Sequence, residues 1–376
     1  MEKRIIGVDN GNNFVKVVAG GLKNRYSFSN IIAAAAEHRI IAGDEGSDPL
    51  DTLHYRVCSP ALGEGNRVYV SGNLATGSVH LKNEIGVQRK KYNNDQILIH
   101  ALLSIAIDAA ETLEVNEHGY IDASGYMLAT GLPLNEVDKK SEFRKRLTDH
   151  VHEIQFLQVN KYAGKRVKIR LDDVAIYTEG PTGAMDLSEP DDDNVNALYP
   201  NMQKQHVLLV DIGGGTTEGA ILKKGRVDSL NSVGKSFGAS VIMDRLIEEI
   251  FKRDEVQIQT RQQLINEIYG KEHPNKVMIR GVATPVMEYV KDEMEGLASR
   301  IYYEIVDASW KKVTDLQTTI FIGGGSILLK ECLEKINQSN PHPLGMEFLK
   351  GEDSIWINAR SYYKCARIKQ SKSVGV

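Results

Sequence analysis

Cysteine is scarce: three in 376 residues, Cys58, Cys332 and Cys365, far apart and without a CxxC pair. That excludes a disulfide framework, argues against a zinc site and suits a reducing compartment. Long apolar runs are missing too. The most apolar stretch, Ile97 to Leu113, is broken by His100, Ser104, Asp108 and Glu111, so it predicts a core helix and no membrane span. Met1-Glu2-Lys3-Arg4 leads directly into a strand-like run with nothing of signal-peptide type, and a cytoplasmic protein is expected. Positive charge is not in excess. Lys and Arg number 46 against 50 Asp and Glu, a net charge of −4, so no overall field draws the chain to nucleic acid. The basic clusters Arg89-Lys90-Lys91 and Arg144-Lys145-Arg146 are short, and Glu142 beside the second marks a solvated helix face. Tight direct DNA binding is not expected.

What is present is an ordinary globular balance, 41% hydrophobic and 26% charged, at a length that fits two domains. Apolar β-branched runs at Arg4 to Val8, Val174 to Tyr177, His206 to Val210 and Thr318 to Ile322 stop at polar or glycine-rich turns and alternate with helical patterns. This predicts an α/β fold with largely parallel central sheets. Helical regions are expected over Ser240 to Tyr269 and Pro285 to Val313. The second carries Met287, Val290, Met294, Leu297 and Ile301 on one buried face. The segment Gly43 to Gly77, with short strands at Tyr55 to Cys58 and Arg67 to Val70, reads as a small subdomain or insertion. Ser188 to Asn194 reads as a solvated acidic connection.

An internal echo carries more information. Ile5-Ile6-Gly7-Val8-Asp9-Asn10-Gly11 and Leu208-Leu209-Val210-Asp211-Ile212-Gly213-Gly214-Gly215 are each an apolar strand ending in Asp-x-Gly. Each runs through a polar turn into a second apolar strand, Phe14 to Val18 and Gly219 to Leu222. Such a duplication points to two related domains facing one ligand. Turns of this kind can bring several N–H groups to one anion. Gly11, Asn12 and Asn13 would make one phosphate cradle, with Lys16 in reach; Gly213, Gly214, Gly215, Thr216 and Thr217 would make the other. Asp9 and Asp211 then suit Mg²⁺, bound mainly through water. One Asp-x-Gly turn alone reads as readily as a plain hairpin; two copies, one with Gly-Gly-Gly-Thr-Thr, make that reading inadequate. A third run, Gly323-Gly324-Gly325-Ser326, lies between a strand and a helix predicted over Ile327 to Ile336, and as a member of the set it suits an adenosine contact.

Glu179, in Ile176-Tyr177-Thr178-Glu179-Gly180-Pro181, falls where a strand ends and Pro181 can start a helix, at the edge where α/β sheets bind ligands. It could polarise a water for phosphate hydrolysis. It could equally be a helix-start glutamate favoured by the macrodipole, and spacing alone leaves the two level. Gly234-Lys235-Ser236 lacks the first glycine of a P-loop, and no GxGxxG is present. His150 and His152 share a strand face without a third ligand and read as surface histidines.

The Asp9 to Lys16 turn, Asp211 to Leu222 and the third glycine run resemble the phosphate-1, phosphate-2 and adenosine motifs of the actin, Hsp70 and sugar-kinase superfamily. Thr130-Gly131-Leu132-Pro133-Leu134, Phe143-Arg144-Lys145, Thr178-Glu179-Gly180-Pro181 and Asn358-Ala359-Arg360-Ser361-Tyr362 are similar to ParM-type plasmid-segregation actins. The resemblance implies a bilobed α/β actin-like fold, two related RNase H-like domains flanking a nucleotide cleft. Domain I would cover 1–178, with a small subdomain about 31–80 and completion by 345–376. Domain II would cover 179–344, with a small subdomain about 236–280. It also implies ATP (or GTP) with Mg²⁺, and gives Glu179 and Asp211 the catalytic positions, Asp9 and Asp211 the metal-associated ones and Lys16 a phosphate contact. The function implied is a self-assembling ATPase filament that segregates plasmid DNA through a DNA-binding adaptor of ParR type, without a membrane. A sugar or small-metabolite kinase of the same fold, or a non-segregating cytoskeletal filament, is the alternative. Hsp70 itself fits less well, because little chain follows the adenosine motif.

Overall fold

Two aspartate-bearing strands organise the chain, one in each of two units. The structure, a computed structural model, describes residues 2–36, 48–63, 66–76, 81–82, 90–157, 161–189, 199–269 and 274–374. Arg89, most of the acidic connection and part of the Gly43 to Gly77 segment lie outside them. The first unit comprises Met1–Asp186, Pro190–Val195 and Asn358–Val376; the second comprises Leu187–Glu189 and Asn196–Ile357.

In the first unit, Arg4–Asn10 is the middle strand of a five-stranded sheet. One neighbour is the antiparallel Phe14–Ala19, with Arg25–Ser29 beyond it; the other is the parallel Tyr126–Leu132, with Asp173–Thr178 beyond it, also parallel. The second unit repeats this order. There His206–Ile212 is the middle strand, Thr217–Lys223 and Arg226–Val227 follow antiparallel on one side, and Thr318–Ile322 and Met346–Phe348 follow parallel on the other. Val233–Lys235 also pairs with Thr217–Lys223. The sequence echo at Asp9 and Asp211 is thus the visible part of a repeated five-strand topology. In both sheets the aspartate strand and its two parallel neighbours deliver their carboxyl ends to one edge, the edge where open α/β sheets bind ligands.

Helix Asp95–Thr112 shows why an apolar stretch with scattered polar residues belongs in a core. Asn94 caps it, its side-chain oxygen accepting from the Gln96 N–H at 2.8 Å, and every residue from Gln96 to Ala110 is buried. A helix apolar all round needs cover all round. It packs against strands of the five-stranded sheet and of a second, seven-stranded sheet. Of its polar groups, Asp108 is matched internally: it takes a bidentate Arg4 at 2.6 and 2.9 Å and the Tyr126 hydroxyl at 2.6 Å.

The seven-stranded sheet shows how the described part of the Gly43 to Gly77 segment, read as a small subdomain or insertion, is held. Its strand His54–Cys58 pairs with Asn66–Ser71 on one side and Val151–Phe156 on the other, so this region is woven into strands from far along the chain. His152 is a second correction. It is fully buried on Val151–Phe156, with Nδ1 2.7 Å from the Ser59 hydroxyl and Nε2 3.1 Å from the Leu147 carbonyl oxygen, and burial lowers its pKa.

Two helical readings are also refined. The Ser240 to Tyr269 region is two helices, Ser240–Asp254 and Arg261–Ile268. Left-handed Glu255, at φ 56°, closes the first, and Thr260 caps the second. In the third region Pro285 ends the strand Val282–Pro285. Helix Lys291–Ile301 continues through a π-turn, Tyr302–Asp307, into Ala308–Lys312. Of the predicted apolar face, Val290, Leu297 and Ile301 are buried in the second unit's core, with Met287 and Met294 packed on it.

Candidate functional site

The first unit gathers three of the predicted residues at one sheet edge. Asp9 lies near the carboxyl end of its strand, and Lys16, its register partner on the neighbouring strand, places Nζ 3.2 Å from Asp9 Oδ2. Glu179 follows the strand Asp173–Thr178, and its N–H donates to the Leu132 carbonyl at 2.9 Å. Asp9 and Glu179 are both buried. The strand between theirs, Tyr126–Leu132, contributes Gly131. A Cβ there would lie 2.0 Å from the Tyr362 hydroxyl and 3.1 Å from Glu179 Cγ, so only glycine leaves room for both.

The Gly11 to Asn13 turn closes on itself: the Gly11 N–H donates to the Phe14 carbonyl at 3.1 Å. That amide is committed, which leaves Asn12 and Asn13 as the tip of the expected cradle. Buried Asn30 braces the turn from behind. Its side-chain amide donates to the carbonyls of Gly11, at 3.0 Å, and Asn12, and its N–H donates to the Asn13 carbonyl at 3.3 Å. Asn10 is only 3% exposed, yet neither its Oδ1 nor its Nδ2 has a hydrogen-bond partner among the described residues. A buried amide left in that state costs free energy unless something else meets it.

Two lysines that sequence reasoning did not assign to the site stand beside Glu179. Lys91 Nζ donates to Glu179 Oε1 at 2.6 Å and to the Asn10 carbonyl at 2.9 Å. Its place among the basic clusters considered for DNA is thereby corrected: this ammonium is spent inside the protein. Lys140 Nζ donates to the Thr178 hydroxyl at 3.1 Å, and burial, with Arg144 nearby, lowers its pKa. The other basic cluster is also no solvated face throughout. Arg144 donates to the Val174 carbonyl at 3.0 Å, and Arg146 reaches the Tyr92 and Asn94 carbonyls at 3.3 Å and pairs with Asp95.

Behind Glu179 lies helix Gly183–Ser188, whose Asp186 is clamped by the final helix, Gly351–Val374. Arg360 Nη2 and Nε are 2.6 and 2.7 Å from Asp186 Oδ2, and Lys364 Nζ is 2.9 Å from Oδ1, all buried. Tyr362 of the same helix stacks on Tyr177, two residues before Glu179, with ring centroids 6.1 Å apart. The final helix therefore fixes the segment on both sides of Glu179.

In the second unit Asp211 lies near the carboxyl end of its strand, buried, with Glu218 as its register partner. The following turn also closes, the Gly213 N–H donating to the Thr216 carbonyl at 2.9 Å. Helix Ser240–Asp254 begins against this turn. The N–H groups of Ala239 and Ser240 donate to the carbonyls of Gly213 and Gly214, each at 2.9 Å, and leave the Gly214 and Gly215 amides at the tip without a backbone acceptor among the described residues. Thr217 departs from the expected cradle: it is fully buried, and its hydroxyl donates to the Phe237 carbonyl at 2.8 Å, so it braces the turn from beneath.

Of the third glycine run, Gly323 sits at φ 83°, and a Cβ there would lie 2.5 Å from Asp211 Oδ1. Gly325 makes a similar close approach to Ile212, while Gly324 has more room. These glycines seat helix Gly324–Gln338 directly on the end of the Asp211 strand. Ser326 is turned inward too, buried, with its hydroxyl donating to the Gly323 carbonyl at 2.7 Å, so the side chain braces this turn.

Comparison with known proteins agrees with this architecture. A family model described as "Actin like proteins N terminal domain" matches residues 7–181, and one described as "Archaeal actin homologue MreB-like, C-terminal" matches 209–335. Among solved structures, Bacillus thuringiensis ParM with ATP is similar at a TM-score of 0.71 and 20% identity, covering 99% of this chain and 100% of that one. A 15-stranded ParM filament from Clostridium botulinum is similar at 0.71 and 17% identity, covering 98% and 100%. A B. thuringiensis hybrid containing two ParM mutants, with ADP, gives 0.70 and 20% identity, covering 98% of this chain but only 49% of its own length. No curated protein sequence matches.

Proposed function

Since the chain belongs to the actin-like proteins, with matched domains at both ends and an actin-like fold throughout, we propose that it is an ATPase whose subunits assemble into filaments with bound nucleotide. The observation that carries this reading is the first unit's strand edge. There a buried carboxylate held by an ammonium, a second carboxylate paired with Lys16 and an unpartnered Asn10 amide stand together.

The residues have distinct parts in it. In the first unit the turn tip Asn12–Asn13 supplies N–H groups for phosphate and Lys16 supplies charge; in the second, the turn tip Gly214–Gly215 offers N–H groups of the same kind. Glu179 accepts a hydrogen bond from the attacking water and orients it. Gly323 and Gly324 bring the backbone close to the adenosine. Asp9 in the first unit, and separately Asp211 in the second, is a buried strand-end carboxylate of the kind Mg²⁺ takes, an ion that keeps most of its water and accepts one or two carboxylates together with substrate phosphate. When bound, Mg²⁺ neutralises charge on the β- and γ-phosphates.

ATP binding and filament assembly are properties named for the ParM relatives, and they are carried to this chain as part of the proposal. Plasmid segregation, which the sequence resemblance to ParM-type actins implies, is proposed with them. With a net charge of −4 and with Lys91, Arg144 and Arg146 all engaged internally, DNA is to be reached through a basic adaptor of ParR type. The test is light scattering and sedimentation of the purified chain with Mg-ATP, Mg-ADP and no nucleotide, followed by a duplex anisotropy titration. Nucleotide-dependent pelleting and weak, salt-sensitive DNA binding are expected. A persistent monomer in Mg-ATP overturns the filament reading, and tight sequence-specific DNA binding by this chain alone overturns the adaptor.

A further inference from the structure

Lys91 occupies a position that neither a nucleotide motif nor a basic surface accounts for. Its side chain is 17% exposed, and its one ammonium reaches two strand ends that are not neighbours in the sheet. It meets the Asn10 carbonyl of the Asp9 strand at 2.9 Å and Glu179 Oε1, just past the Asp173–Thr178 strand, at 2.6 Å. The strand Tyr126–Leu132 lies between them.

The base from which Lys91 projects is itself held. Lys91–Asn93 is a short 3-10 turn that runs directly into the Asn94 cap of the buried helix Asp95–Thr112. The Tyr92 N–H donates to Glu136 Oε2 at 3.2 Å, and Arg146 takes the Tyr92 carbonyl at 3.3 Å. A lysine on a loose loop would offer only a wandering charge. Here the residue that follows, Tyr92, has both its N–H and its carbonyl bonded and leads straight into a capped, buried helix, so the ammonium helps to set where the carboxylate stands.

We infer that Lys91 is a positioning residue for the hydrolysis proposed above. It holds the Glu179 carboxylate at a fixed distance from the end of the Asp9 strand, where the water must be oriented. The inference rests on the reading of Glu179 as the hydrolytic carboxylate. A glutamate has three side-chain torsions, and its head must be placed to within a fraction of an ångström to act on a water. A misplacement of about 1 Å costs about 10²-fold in rate. The phosphates are met by the turn tips and Lys16, so losing Lys91 falls on turnover and not on nucleotide affinity.

The experiment uses the full chain as wild type, Lys91→Met, Lys91→Arg, Glu179→Gln and the Lys91→Met/Glu179→Gln double variant. Steady-state Mg-ATP hydrolysis gives kcat, and titration with a fluorescent ATP analogue gives Kd. Lys91→Met is expected to lower kcat about 10²-fold with Kd within about threefold. Lys91→Arg, which keeps the cation on a similar reach, is expected to recover part of that loss. The double variant is expected to be no slower than Glu179→Gln, because a positioning residue has nothing left to position. If Glu179→Gln hydrolyses at the wild-type rate, the reading of Glu179 itself fails. If Glu179→Gln is slow but Lys91→Met is not, the Lys91 inference alone fails. It fails equally if the two losses multiply in the double variant, or if Lys91→Met abolishes binding. Should Lys91→Met not fold, Lys91→Gln takes its place with the same expected outcomes.

Discussion

Replacing Asp186 with asparagine removes one negative charge from between two buried cations. In the folded protein Arg360 and Lys364 converge on its two carboxylate oxygens at 2.6 and 2.9 Å, with Lys364 and Asp186 side chains only 1% exposed. Asparagine keeps the shape but offers a dipole and its own N–H₂ where the cations need an anion. Breaking a buried pair by removing one partner costs about 3–5 kcal/mol, because the remaining charge stays desolvated. For a unit of about 200 residues, 1 kcal/mol moves the midpoint about 2–4 °C, so the first unit's transition should fall by about 6–20 °C. Differential scanning calorimetry reads this directly. The triple variant Asp186→Leu/Arg360→Met/Lys364→Met, which removes all three charges, should regain most of the loss. An Asp186→Asn midpoint within about 2 °C of wild type refutes the reasoning, since a measurable drop is the least that 1 kcal/mol would give.

Two further outcomes follow from packing and burial. Gly131→Ala puts a methyl 2.0 Å from the Tyr362 hydroxyl and 3.1 Å from Glu179 Cγ. Turnover should fall while nucleotide affinity holds, and Tyr362→Leu in the same chain should restore part of it; an unchanged kcat in Gly131→Ala removes that glycine from the account. His100 is fully buried, edge-on to Phe28 at 5.8 Å, and desolvation lowers its pKa to about 3. The unfolded chain then takes up the proton first as pH falls below about 6.5, so this histidine's contribution is complete above that value and is lost toward pH 3. Denaturant unfolding of His100→Leu between about pH 6 and about pH 4.5 should show a stability slope shallower by about one proton, or about 1.4 kcal/mol per pH unit; equal slopes contradict it.

How much could be read in advance depended on the range of the interaction. Local signals carried well. The strand that carries Asp9, the core helix read over Ile97 to Leu113 and the strand read over Val174 to Tyr177 each follow from apolar pattern and turn chemistry, within a residue or two of their observed ends, and the echo of Asp9 in Asp211 anticipated the repeated sheet order. Contacts between distant segments did not show. Lys91 meets Glu179 across 88 residues of sequence and Asp186 meets Arg360 across 174, and no spacing rule connects either pair. Side-chain direction was equally hidden. Thr217 and Ser326 sit in motifs that read as ligand-facing, yet the Thr217 hydroxyl satisfies the distant Phe237 carbonyl and the Ser326 hydroxyl the Gly323 carbonyl of its own turn. His152 alternates with exposed residues on a strand, but the neighbouring sheet strands and Ser59 bury it.

The central claim is that this chain hydrolyses ATP with Glu179 orienting the water. Single-turnover phosphate release from Mg-ATP, in wild type and Glu179→Gln at matched nucleotide occupancy, tests it most directly. The account predicts release by wild type without any added acceptor and a loss of about 10² to 10⁴ in the variant, with binding preserved. Equal rates in the two proteins, or phosphate transfer that begins only when a sugar is added, would contradict it.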